Sequence, residues 1–114
     1  FDNPGFLLTT NSEGFALQKE INHPNLKLEC DIFHAQRTEG NLIQSVRDHL
    51  DQIGHIQIAD TPGRNEPGTG EINYPFVLKA LDEAGYQGWV GLEYRPKTTT
   101  DASFGWLKNY GYWQ

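Results

Sequence analysis
Apolar residues recur along this chain at two spacings, and the alternation between them predicts its architecture. Leu42, Ile43, Val46, Leu50 and Ile53 fall at helical spacing within residues 40–54. Phe76, Val77, Ala80, Leu81 and Ala84 form a second helical stripe, which Gly85 is placed to end. Residues 10–21 read as a further helix, with Asn11 or Ser12 as its cap, and residues 101–110 as a last one. Between these lie three runs of strand character: LKLECDIF at 26–33, HIQIA at 55–59 and GWVGLEY at 88–94. Strand and helix alternating at this spacing predict right-handed βαβ crossovers and a parallel α/β sheet of about three strands with four helices.

Splitting each strand by face sharpens the picture, because side chains alternate along a strand. Leu26, Leu28, Cys30 and Ile32 share one face of the first strand, opposite Lys27, Glu29 and Asp31. In the second, Ile56 and Ile58 oppose His55, Gln57 and Ala59; in the third, Val90 and Leu92 oppose Trp89, Gly91 and Glu93. Parallel strands covered by helices are usually apolar on both faces. Here one face of each carries a polar oxygen-bearing group near the C-terminal end: Asp31, Gln57 and Glu93. The C-terminal ends of the strands are where α/β sheets and barrels place their sites. Three such groups at the same depth predict an oxygen-rich site for a hard divalent cation, Mg²⁺ or Mn²⁺.

Each of the three also fits a plainer role taken singly. Asp31 fits a turn or helix cap, Gln57 a buried amide satisfied by backbone groups, and Glu93 a salt bridge to Arg95 or Arg37. His34, three residues after Asp31, fits either the mouth of the same site or an ordinary loop. His23 and His49 have no partners in the pattern and read as surface residues, and Cys30 as a small core residue. The loop after the second strand has four glycines or prolines among residues 62–69 and holds Arg64 and Glu66. Glu71 reads as a first-turn carboxylate of the next helix, favoured by the helix dipole; Glu66 takes no role from its spacing.

Composition narrows the partners. The 114 residues suit one domain with a modest core. Nine Lys and Arg stand against 15 Asp and Glu, a formal charge of −6, and no basic run exists, so nucleic acid and anionic membrane are not expected partners. No apolar stretch approaches the roughly 18 residues that span a bilayer, and no signal-peptide pattern is present. The single cysteine excludes an internal disulfide and suits a cytoplasmic setting. The sequence contains no Met and begins at Phe1, which reads as a fragment or a processed product. GTGEIN follows a loop and lacks a third glycine, so no dinucleotide fingerprint is expected.

CDIFHAQRTEGNL, GHIQIADTPGRNEPGTGEINY and GWVGLEYRP together resemble the hydroxypyruvate isomerase family, one of the xylose-isomerase-like (β/α)₈ barrels that also include the ketose 3-epimerases. The likeness runs over nearly the whole chain, in order. It implies the C-terminal part of a TIM barrel: helix 5, then strands and helices 6, 7 and 8. It also implies that Asp31, Gln57 and Glu93 are metal ligands from strands 6, 7 and 8, and that Glu93 is a catalytic carboxylate as well. His34 resembles the family's substrate-binding histidine, and Arg64 the arginine that contacts substrate oxygens. The remaining ligand and second acid of the family, a Glu at the end of strand 5, would fall before Phe1.

The activity implied is interconversion of hydroxypyruvate and tartronate semialdehyde by proton transfer through an enediolate, on a small hydroxy-keto acid substrate. A 2-oxo-tetronate isomerase or a ketose 3-epimerase of the same barrel type is the alternative. So is a non-catalytic half-barrel that associates with a copy of itself. Unpaired strand edges predict self-association or association with the rest of a barrel.

Overall fold
The structure, a computed structural model, describes residues 4–114. Thr10 caps the first helix, α1 (Asn11–Ile21), by accepting from the Glu13 amide at 3.2 Å, while the Glu13 carboxylate reaches back to the Thr9 amide at 3.0 Å. This reciprocal arrangement satisfies donors that a helix start otherwise leaves open, and it places the cap one residue before the expected Asn11.

Strand β1 (Leu28–Asp31) is shorter than the expected run over 26–33, because Asp31 starts a helix at once. Its carboxylate accepts from the Phe33 and His34 amides, and α2 (Ile32–Thr38) follows without a loop. The helix expected over 40–54 divides into α3 (Leu42–Asp48) and a 3₁₀ turn (Leu50–Gln52), and β2 (Ile53–Ile58) begins earlier than expected. Helix α4 (Tyr74–Ala84) starts behind the Asn73 cap and ends where Gly85 turns left-handed. Strand β3 (Val90–Leu92), a 3₁₀ turn (Ala102–Phe104) and α5 (Gly105–Asn109) complete the chain. Five α-helices therefore stand among the described residues where four were expected; the extra one is α2.

The three strands form one parallel sheet in the order β1-β2-β3. Asp31 pairs with Gln57, and Gln57 with Gly91. The core lies between this sheet and the helices: Ile32, Ile56 and Ile58 are fully buried, packed with Cys30, Val46, Val77, Leu81 and Trp106. Each fully buried side chain of this size contributes about 1.5–3 kcal/mol, so the apolar faces read from the alternation of the first two strands hold the sheet to its helices, while on β3 Val90 is only partly buried and Leu92 is exposed. His49 departs from its expected surface position: half-buried, it stacks on Phe15 with ring centroids 4.0 Å apart and bonds the Gln52 side chain at 2.8 Å. Three parallel strands with flanking helices are a partial TIM barrel, open at both edges of the sheet among the described residues. No helix among them is long and apolar enough to cross a membrane.

Candidate active site at the C-terminal strand ends
The strand ends deliver Asp31, Gln57 and Glu93 to one rim. Asp31 combines two of the roles its position allowed. Its Oδ1 accepts the Phe33 and His34 amides at 2.9 and 3.3 Å and caps α2. Its Oδ2 stands 3.8 Å from the Arg64 guanidinium and 3.9 Å from His34 Nε2. Gln57 is not spent on backbone groups: its Nε2 donates to Glu93 Oε2 at 2.9 Å. That same Glu93 oxygen accepts from Arg64 Nη2, also at 2.9 Å. One carboxylate oxygen thus joins β2, β3 and the loop between β2 and α4.

Glu93 does not lie at the same depth as the other two. Register sets Asp31 beside Gln57 and Gln57 beside Gly91, which leaves Glu93 two residues further along, just past β3. A staggered rim of this kind is what tilted barrel strands produce. Gly91 leaves room for the His55 ring: a Cβ there would stand 2.8 Å from His55 Nε2, whereas its 3.6 Å to Gln57 Cγ would be ordinary contact.

His34 sits in the first turn of α2 rather than in a loop, half-exposed and edge-on to the Phe33 ring. It lines the same opening as Asp31, Gln57 and Glu93, a cavity of about 320 Å³ that Leu8 and Thr10 also line. Arg64 has a left-handed backbone, φ 58°, and its guanidinium packs on the Phe33 ring at 5.1 Å. The salt bridge Glu93 makes is to Arg64, while the Arg95 amide donates to the Arg64 carbonyl at 2.8 Å.

Two residues of the loop differ from expectation or gain a role. Glu71 is not a first-turn carboxylate, because α4 starts only at Tyr74; its side chain accepts the Thr61 hydroxyl at 2.8 Å. Glu66 accepts the Lys97 amide at 3.0 Å and ties the loop to the segment after β3. Asp60, which the pattern of the sequence did not single out, is 1% exposed. The available signal was its place, an acid at a strand end before a Gly/Pro loop.

Two carboxylates and an amide side chain brought to one rim by three strands are residue types that can offer oxygen donors to a hard cation, although Gln57 here turns its Nε2 to Glu93. Asp31 Oδ2 and Glu93 Oε2 already share one positively charged neighbour, so they border one space and fit such an ion. The set is partial: among the described residues no group of three or more His, Cys, Asp or Glu stands where it could hold a metal ion.

Known proteins place this chain in a family. A family model described as a xylose isomerase-like TIM barrel matches residues 1–110. Hydroxypyruvate isomerase of Escherichia coli (strain K12) is 48% identical over 110 residues, which cover 96% of this chain and 43% of that protein. The 2-oxo-tetronate isomerase of Cupriavidus necator is 45% identical over 109 residues, 96% of this chain and 42% of that protein. The crystal structure of AP endonuclease, family 2, from Brucella melitensis superposes with a TM-score of 0.91 at 37% identity, covering 96% of this chain and 42% of that one. The chain spans less than half the length of each of these relatives. With three parallel strands, a polar rim at their C-terminal ends and a family match over nearly its whole length, this chain belongs to the xylose isomerase-like TIM barrel family.

Proposed function
We propose that this chain forms the C-terminal part of a divalent-metal isomerase of short hydroxy-keto acids, which interconverts hydroxypyruvate and tartronate semialdehyde. The observation that carries the reading is the junction at Glu93 Oε2, where Gln57 and Arg64 meet beside Asp31 at one cavity mouth. The similarity to hydroxypyruvate isomerase supports the same reaction class.

The reaction moves a proton from the hydroxyl-bearing carbon to the neighbouring carbonyl carbon, while the hydroxyl proton passes to the old carbonyl oxygen. Asp31, Gln57 and Glu93 would hold Mg²⁺ or Mn²⁺. Bound there, the ion supplies polarisation of the substrate carbonyl and stabilisation of the charge that develops on its oxygen. Glu93, more than half exposed at the mouth, would accept or return the carbon-bound proton. Its counterpart is the acid expected from strand 5 of a complete barrel. Arg64 offers a planar guanidinium to the substrate carboxylate, and its seat on Phe33 fixes the plane from which it does so. His34 lines the same cavity and would bond a substrate hydroxyl.

A second reading, isomerisation of a 2-oxo-tetronate, is favoured by the 45% identity to a protein of that name. The two are separated by assay of a complete barrel carrying this segment, with Mg²⁺ or Mn²⁺, on hydroxypyruvate, a 2-oxo-tetronate and a ketohexose. Highest kcat/KM on hydroxypyruvate supports the first reading. Highest kcat/KM on the four-carbon acid replaces it with the second, and turnover of the ketohexose alone overturns both.

A further inference from the structure
The mechanism above leaves one buried acid unused. Asp60 follows β2 directly and is 1% exposed, yet no cation pairs with it among the ion pairs of the described residues. Its carboxylate is instead filled by backbone donors. Oδ1 accepts the Thr61 and Ile72 amides at 2.9 and 3.0 Å, and Oδ2 accepts the Gly68 and Gly70 amides, both at 3.0 Å. Four bonds use the whole acceptor capacity of a carboxylate, which no neutral side chain of this size offers. Gly70 is shaped to the same purpose: a Cβ there would stand 1.8 Å from the Thr61 carbonyl oxygen and 2.8 Å from Asp60 Oδ1.

The loop that this carboxylate gathers is the one that carries Arg64. Arg64 N donates to the Asp60 carbonyl at 3.0 Å, and Asp60 N donates to the Asn65 carbonyl at 2.8 Å, closing the turn around Arg64. Across the rim, Arg95 N donates to the Arg64 carbonyl and Asn65 Nδ2 to the Arg95 carbonyl, both at 2.8 Å. Arg64 is thus held in a left-handed backbone, a conformation a non-glycine residue adopts only when its surroundings impose it. We infer that Asp60 is a positioning residue: by drawing four amides of residues 61–72 onto one buried carboxylate, it fixes the backbone of Arg64 and so the direction from which the guanidinium meets Glu93 and the substrate. The inference rests on the reading in which Arg64 holds the substrate carboxylate.

The test substitutes Asp60→Asn in a complete barrel carrying this segment. The amide keeps the size of the side chain and one acceptor oxygen. It turns an NH₂ toward two amide donors, which releases one side of the loop. Two readouts are taken. Nuclear magnetic resonance relaxation of the Arg64 Nε–Hε group is expected to report an ordered side chain in the parent and a mobile one in Asp60→Asn. Kinetics are expected to show KM for the hydroxy-keto acid raised about tenfold with kcat little changed, the pattern of lost uniform binding. In the Arg64→Ala background, where kcat/KM is already about 10- to 100-fold down from loss of a charge-assisted bond, Asp60→Asn is expected to change kcat/KM by less than about twofold.

A purely structural Asp60 would lower the melting temperature and multiply the Arg64→Ala effect, and that result overturns the inference. So does an Arg64 side chain that stays ordered in Asp60→Asn. If Arg64→Ala itself leaves KM unchanged, the substrate-holding role of Arg64 fails, while the relaxation readout still decides whether Asp60 positions it. Should Asp60→Asn not fold, hydrogen exchange in the unmutated protein decides. The Gly68, Gly70 and Ile72 amides are expected to exchange as slowly as those of β2, and fast exchange there overturns the inference.

Discussion
Glu93→Gln separates a catalytic carboxylate from a structural one, because the structure predicts very different sizes for the two effects. The substitution keeps the size of the side chain and an oxygen that still accepts from Arg64, and it removes the charge and the ability to take a proton. On the stability side, the Glu93 side chain is 56% exposed and Arg64 28% exposed, so their pair is well solvated. Such a pair is worth about 0–1 kcal/mol. In a barrel of roughly 250 residues that shifts the melting temperature by no more than about 2–4 °C. On the rate side, loss of a positioned base costs about 10²- to 10⁴-fold, or about 2.7–5.5 kcal/mol of activation free energy. The assay is isomerase turnover at saturating Mg²⁺ beside a thermal melt, in a complete barrel carrying this segment. The expected result is a melt within a few degrees of the parent and a rate at least about a hundredfold lower. A rate within about tenfold of the parent, well short of what a lost base implies, would refute the catalytic assignment. A melt far below the parent would show Glu93 to be a structural partner of Arg64.

Two further outcomes follow from the rest of the fold. The isolated chain is expected to associate, because β1 and β3 each have an edge without a strand partner among the described residues, and Trp89 and Leu92 are 85% and 42% exposed. Sedimentation at micromolar concentration should show a species heavier than 12.9 kDa, and a monomer with a sharp cooperative melt contradicts this. Burial pushes the Cys30 thiol up to about 11 from 9.0, with the Asn11 amide working against it and the Asp31 charge with it. Cys30 should therefore resist a disulfide reagent at pH 8 until the protein unfolds. Because the folded state holds this proton more tightly, the stability it contributes is complete below pH 9.0 and is lost as pH rises through about 11. Fast labelling of the native protein, or stability that does not fall over that interval, would contradict the burial of the thiol.

The apolar faces of β1 and β2 were legible because alternation decides which side meets the helices, and Cys30, Ile56 and Ile58 are buried as that pattern requires, whereas Leu92 of β3 is 42% exposed. Gly85 was legible as a stop because the left-handed turn there needs a residue without a Cβ. The start of α2 was not, since Ile32 and Phe33 extend the apolar run of β1 and a short apolar run does not distinguish strand from buried helix. What ends β1 is the Asp31 side chain, which caps the next helix while its second oxygen turns to the rim. The beginning of β2 was hidden for the opposite reason. Ile53 continues the helical spacing of Val46 and Leu50, although the chain has left α3 by then and passed through the 3₁₀ turn into the strand. The partners of Glu93 and the cradle of Asp60 lay beyond any local pattern. Arg64 lies 29 residues from Glu93, and Asp60 gathers amides up to 12 residues away, so both depend on how one loop closes on itself.

The proposed metal site requires one ligand from each of three successive strands to reach a single ion. Mn²⁺ binding, followed by electron paramagnetic resonance in a complete barrel carrying this segment, tests it without reference to turnover. Asp31→Asn, Gln57→Leu and Glu93→Gln are each expected to weaken Mn²⁺ binding at least about tenfold, the least that loss of even an outer-shell partner costs a metal site. The isolated chain is expected to bind Mn²⁺ more weakly than the complete barrel. Unchanged Mn²⁺ affinity in any one of the three variants would contradict the convergence of Asp31, Gln57 and Glu93 on one ion.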